Sequence, residues 1–178
     1  ITVTVNALPN VGATATATSI CAGSMVALSG TGASTYSWNN SVTNNTPFTP
    51  SATNTYTVTG TDGNGCTKTA TITVTVNPIP ATPTVAVTHP ICDSAKGTIN
   101  VSAPLGATLE YSINGTTYQS SPNFTNVSAG TYSVTVRSTT APACVSGATP
   151  ATLNASTTPC GPNVTVGAQN LNPSIAEG

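Results

Sequence analysis

The hexapeptide ITVTVN occurs twice in this chain, at residues 1–6 and again at 72–77. A proline follows each copy closely, at Pro9 and at Pro78. The 71-residue spacing from Ile1 to Ile72 also separates Cys21 from Cys92. A fixed period of this kind marks an array of small, similar units. A second alignment links the interiors of the units. Tyr36-Ser37-Trp38 matches Tyr111-Ser112-Ile113 at an offset of 75 residues. Phe48 matches Phe124, and Tyr56-Thr57-Val58-Thr59 matches Tyr132-Ser133-Val134-Thr135, both at 76. Cys66 matches Cys144 at 78. The drift from 71 to 78 implies small insertions in the loops of the second unit.

The phase of the repeat divides the chain. In the unit that ends at Asn77, ITVTV is the last strand. Residues 1–9 are therefore expected to be the last strand of a preceding module plus a linker. Residues 10–77 form one module, 78–83 (Pro-Ile-Pro-Ala-Thr-Pro) a semi-rigid linker, 84–157 a second module, and 158–178 the start of another. With no initiating Met and no signal peptide, the chain reads as a processed or excised piece.

Strand patterning is consistent throughout. Val3 and Val5, Ile72, Val74 and Val76, and Tyr132, Val134 and Val136 alternate with Thr or Ser, as half-buried strands do. Thr suits an outer face because it is β-branched yet polar. Asp62-Gly63, Asn64-Gly65, Asn114-Gly115 and Ala129-Gly130 punctuate the strands as turns. No segment shows a helical apolar period. The fold class expected is all-β, as tandem Ig-like antiparallel β-sandwich modules. Trp38, Phe48, Tyr56 and Val58 are expected in the first core, with Ile113 replacing the Trp in the second.

Such small cores are marginal, which gives weight to the cysteines. Cys21–Cys66 and Cys92–Cys144 would each close a loop of roughly 50 residues, contributing about 4 kcal/mol in a loop-entropy model. Cys160 does not align: it follows Asn154 by six residues, whereas Cys21 and Cys92 follow their asparagines by 15. Two readings stay open for it, a partner outside these residues or a free thiol. No Cys-x-x-Cys pair suggests zinc, and disulfides point to an oxidising compartment.

Charge excludes several functions. Only 4% of residues are charged and the formal net charge is −1. Lys68, Lys96 and Arg137 cannot build a phosphate-binding face, so no nucleic-acid partner is expected. No apolar run reaches the roughly 18 residues that span a bilayer, so no membrane insertion is expected. The lone His89 and the scattered Asp62, Asp93, Glu110 and Glu177 offer neither a metal cluster nor an acid/base pair. Asp62-Gly63-Asn64-Gly65 lacks the later ligands of a calcium loop and reads as a tight turn. No triad or phosphate loop is present. Neither catalysis nor a cofactor is expected. Thr14-Ala15-Thr16-Ala17-Thr18 raises ice binding, but a twisting sandwich does not give a flat threonine array.

YTVTGTDGNGCTKTATITVTVNPIP (56–80) resembles the end of the PKD-like, Ig-like modules of large secreted Bacteroidota proteins. CDSAKGTINV (92–101) and LEYSINGTTYQSSPNFTNVSAGTYSVTVRS (109–138) resemble repeats of the giant gliding-motility adhesins of SprB type. The resemblance implies type IX secretion, outer-surface display, and a structural or adhesive role in attachment or gliding. It carries no catalytic residue. Asp93-Ser94-Ala95 is similar to the O-glycosylation motif of these bacteria, with Ser94 as acceptor, and it departs from the glycine-rich stretch that family repeats often carry there. The implied partners are neighbouring modules and a surface polysaccharide or substratum. Two other readings are a filament subunit joined by strand exchange through ITVTV, and a binding module appended to a secreted enzyme, for which Tyr118 is the main exposed aromatic.

Overall fold

A computed structural model of the chain describes residues 1–91 and 96–156. Every regular element among them is a strand. The strands are β1 (Gly12–Ala15), β2 (Ser19–Cys21), β3 (Leu28–Thr31), β4 (Thr35–Trp38), β5 (Asn54–Thr61) and β6 (Thr67–Asn77), then β7 (Thr84–Thr88), β8 (Lys96–Ala103), β9 (Leu109–Ser112), β10 (Asn123–Ser128), β11 (Gly130–Ser138) and β12 (Thr149–Leu153).

Among the described residues, strand pairing never crosses the 78–83 segment. The first half has a β1–β3 ribbon and a sheet ordered β2-β6-β5-β4, and the second has sheets β10-β8-β7 and β12-β11-β9. All pairs are antiparallel except β2 with β6. Each half is a two-sheet sandwich of Ig-like architecture, closed on its own core. Val11, Ile20, Val26, Leu28, Trp38, Tyr56, Val58 and Val74 fill the first. Ile99, Val101, Tyr111, Val127, Val134, Val136, Ala151 and Leu153 fill the second.

The alternation seen in the sequence sets these cores. Tyr56 and Val58 of β5 are buried while Thr57 and Thr59 are only half-buried, and Val74 of β6 is buried between exposed Thr73 and Thr75. The internal alignment is also a structural one. Ser37 pairs with Thr59 in the first half, and its repeat-equivalent Ser112 pairs with Thr135 in the second. Trp38 is buried and its Nε1 donates to Asn44 Oδ1 at 3.0 Å. Phe48 and Ile113 lie half-buried against the cores rather than within them.

The ITVTV at residues 1–5 lies outside any strand of the described residues, and Ile1, Val3 and Val5 are exposed. The same sequence at 72–76 is a strand because β2 and β5 flank it. The halves are also more than beads on a linker. The linker prolines Pro78 and Pro80 face Pro104 and Leu109 across a small cavity of ≈200 Å³, Thr149 Oγ1 donates to Pro83 O at 2.6 Å, and a disulfide bridges the halves directly. The result is one disulfide-closed unit with two cores.

Gly32 shows how tightly the first half is drawn. Its φ is +81°, and an added Cβ would collide with the carbonyl of Asn10. Gly32→Ala is expected to destabilise the first half by about 2 kcal/mol or more, from left-handed strain and the clash. Leu28→Ala and Leu153→Ala, each truncating a side chain no more than 1% exposed, should each cost about 2–5 kcal/mol. In reduced protein each truncation should lower the melting transition of its own half and leave the other in place. Calorimetry reads both results.

Candidate functional site

Cys21 ends β2, which runs parallel to β6 with Cys21 opposite Asn77. The Ala22 N–H donates to Asn77 O at 2.9 Å, fixing the turn after Cys21 at the mouth of the linker. Cys144 lies in the loop after β11, where its carbonyl accepts from the Ser138 N–H at 3.0 Å. Its sulfur lies 4.0 Å from Asn77 O and is almost wholly buried. The two cysteines form a disulfide across the junction, with Cα atoms 5.6 Å apart and 123 residues between them in sequence.

This replaces the pairing expected from the repeat. Cys66 sits at the tip of the β5–β6 hairpin, where Asp62 Oδ1 accepts from the N–H groups of Asn64 (2.9 Å) and Cys66 (2.8 Å). β6 then runs 11 residues to Asn77 beside Cys21. At roughly 3.3 Å per residue that is a separation of about 30 Å, far beyond the roughly 7 Å a disulfide allows between Cα atoms. Cys66 is therefore a free, half-buried thiol. A Cys92–Cys144 bond does not form because Cys21 holds the Cys144 sulfur. Cys92, Ser94 and Cys160 lie outside the described residues. The tip position of Cys66 was legible in the Asp62-Gly63-Asn64-Gly65 turn ahead of a long strand. The approach of Cys144 to Cys21 depends on how the halves dock, and no local pattern encodes it.

The other residues of chemical interest fall into structural roles. His89 is exposed, and its Nδ1 accepts from the Asn154 N–H at 3.1 Å, tying the second half's first loop to the end of β12. Glu110 receives both Arg137 Nε (2.8 Å) and Nη2 (2.7 Å) on one oxygen, across the β9–β11 pair. The Arg137 guanidinium also lies 4.0 Å from the Tyr118 ring centroid, and the Tyr118 hydroxyl pairs with Thr135 Oγ1 at 3.1 Å. Tyr118, the expected free aromatic, is thus engaged within the second half. Among the described residues no three His, Cys, Asp or Glu side chains cluster as a metal site, and no helix is long and apolar enough to cross a membrane. The Thr14 and Thr16 hydroxyls bond to the neighbouring backbone, at Ser29 O and Ala27 N–H, rather than forming an open array.

One groove has no signature in the sequence pattern. A concavity of ≈380 Å³ lies where β10 meets the edge of the other sheet. Half-buried Ile113, Phe124 and Tyr132 form its apolar floor, and Gln119, Asn123, Thr125, Asn126 and Ser128 its polar rim. None of these side chains is charged. A bulge between Phe124 and Val127 shapes it, with Asn126 at φ 58°, and turns Thr125 and Asn126 out of the ladder.

No family model matches the chain, and no curated protein matches it. Among solved structures it is similar to a chain from the complex of the mouse coronavirus receptor-binding domain with its murine receptor, at 16% identity over 82% of this chain and 100% of that one, with a TM-score of 0.45. It is also similar to fibronectin(III)-like modules of Clostridium thermocellum CbhA, at 16% identity over 82% and 94%, TM-score 0.41. A third is from a 1.5-MDa bacterial ice-binding adhesin, at 18% identity over 85% and 66%, TM-score 0.32. No functional assignment travels with likeness of this degree.

Peptide mapping without reduction should recover the Cys21–Cys144 cross-link, and a Cys21–Cys66 link in its place would contradict the structure. The Cys21→Ala/Cys144→Ala pair should keep both sandwiches, seen as unchanged far-UV dichroism. Its radius of gyration in X-ray scattering should rise as the junction loosens.

Proposed function

We propose that this chain is a structural and adhesive segment of a large secreted cell-surface protein, holding or presenting contact surfaces in attachment or gliding. The observation that carries this reading is the Cys21–Cys144 bond across the inter-half linker. It converts two marginal sandwiches into one unit of fixed geometry, which a spacer needs. It also belongs to an oxidising, extracellular setting. The sparse charge supports the same reading, because a surface of hydroxyls and amides meets neutral polymers without electrostatic selection.

The partner this reading favours is a neutral surface polysaccharide, met at the groove on β10. A sugar ring has an apolar C–H face for the floor and hydroxyls for the amide rim; the lining side chains are uncharged, and the Lys96 ammonium beside them donates to Ser128 Oγ at 2.7 Å.

Beads coated with the chain are expected to attach to films of neutral polysaccharide, with little change as salt is raised. Asn123→Ala/Asn126→Gly should reduce attachment about thirtyfold, from two neutral hydrogen bonds at ~1 kcal/mol each. Glycine suits position 126 because φ is already positive there. Beads that bind no neutral polysaccharide, or bind equally well with the double variant, would refute adhesion through this surface.

A strand-exchange filament is the second reading, and the unpaired, exposed ITVTV at residues 1–5 favours it. Filaments seen by electron microscopy that vanish when residues 1–6 are deleted would establish it.

A further inference from the structure

The junction between the two halves is built from three parts. One is the strand ending ITVTVN, which leads into the linker. The second is Cys21, at the end of β2, opposite Asn77. The third is Cys144, in the loop that follows the central strand of the next sandwich. Cys144 has a counterpart in the first half. Cys66 lies in the loop after β5, the repeat-equivalent of β11. The Asp62 N–H donates to Cys66 O at 3.0 Å just as the Ser138 N–H donates to Cys144 O at 3.0 Å. The two cysteines therefore occupy one position of the repeat. In the second half that position is bonded to the preceding sandwich, and in the first it carries a free thiol.

A second observation lies ahead of the first half. Residues 1–6 repeat the ITVTVN of the junction, yet Ile1, Val3 and Val5 are 125%, 80% and 89% exposed. In β6 the same residues are covered, with Val74 fully buried. Apolar side chains at every second position, with strand-forming Thr between them, are suited to cover by a sheet. Two of the three junction parts are thus present, the ITVTVN segment ahead of the first half and the loop cysteine within it.

We propose that Cys66 is a covalent docking point for another sandwich of the same repeat. That sandwich takes residues 1–6 as its last strand and presents a cysteine where the first half presents Cys21. The proposal rests on the array reading above and names the bond that would hold the array together. Every junction would carry one disulfide, running from the β2 end of one sandwich to the loop cysteine of the next. Forming the bond joins the two sulfurs. The two thiols release two protons and two electrons to a small-molecule disulfide such as oxidised glutathione, which leaves as two thiols.

The test is an extended chain in which residues 7–71 are duplicated ahead of Ile1. Residues 1–6 then complete the added sandwich with the sequence it has at 72–77. The added copy carries Cys66→Ser, so one Cys66 remains. Both forms are oxidised in glutathione buffer, digested without reduction and mapped by mass spectrometry. A Cys21–Cys66 cross-link is expected in the extended chain alone, beside Cys21–Cys144, with loss of Cys66 alkylation by iodoacetamide. Cys66 remaining alkylatable while Cys21–Cys144 is intact would overturn the proposal.

If the extension does not fold, the unmodified chain supplies the second measurement. Cys92 stands 71 residues after Cys21, so a second copy offers a cysteine at the same place in the repeat. Covalent dimers linking Cys66 to Cys92 are expected on non-reducing gels and should be lost with Cys66→Ser; monomer alone overturns the proposal. The bead assay separates this from the adhesive reading. Beads that fail to attach while the Cys66 bond forms refute adhesion alone, and beads that attach while Cys66 stays free refute the cross-link alone.

Discussion

The bond between Cys21 and Cys144 decides what kind of object this chain is. Without it, two sandwiches of about 70 residues would each depend on a core near the lower limit for independent folding. With it, the end of β2, the end of β6, the linker and the loop after β11 are gathered at one place. Ordinary polar contacts then complete the junction, among them the bond from Thr149 to the Pro83 carbonyl. The chain-entropy contribution for so long a loop is about 5 kcal/mol if the whole folds as one unit. It is smaller to the extent that each half folds alone, because part of the loop is then already ordered.

Much of the fold was legible because the signals were local. Alternation of Val, Ile and Tyr with Thr identified β5, β6 and β11, and the glycine turns placed the hairpin tip. The segments aligned by the repeat also pair equivalently in the structure, as the Ser37–Thr59 and Ser112–Thr135 pairs show. What local pattern does not decide is whatever depends on the surroundings of a segment. ITVTVN is a strand at 72–77, where β2 and β5 flank it, and is unpaired at 1–6. The cysteine pairing expected from the repeat failed for this reason. Matching spacings showed that Cys21 and Cys92, or Cys66 and Cys144, are equivalent, but equivalence does not say which sulfurs meet. The groove on β10 was invisible because a bulge and one left-handed asparagine create it.

A nearly uncharged surface raises the question of how the sheet faces are kept ordered and wet. Threonine supplies part of the answer. Thr55 and Thr73 face each other across β5 and β6 with hydroxyls 2.8 Å apart, and Thr131 and Thr152 repeat the arrangement across β11 and β12 at 3.5 Å. Each pair offers β-branched cover to the backbone ladder while leaving lone pairs for water. The contacts of Arg137 with Glu110 and with the Tyr118 ring are local, linking β9 to β11 beside the loop that carries Tyr118. Stability and hydration are thus met largely by neutral groups, whose interactions are insensitive to salt.

The same disulfide also redirects mechanical tension. Pulled from its two ends, the polypeptide would transmit force along the chain to Cys21, through the sulfur bridge, and onward from Cys144. The strands between them lie on an unloaded branch. With 123 residues of sequence separation bridged, roughly 400 Å of potential extension is removed from the loaded path. Strands β3 to β11 are then shielded from shear, while β1 and β2 ahead of Cys21 and β12 beyond Cys144 stay on the loaded path, so that only their pairing with the bridged strands remains for tension to peel.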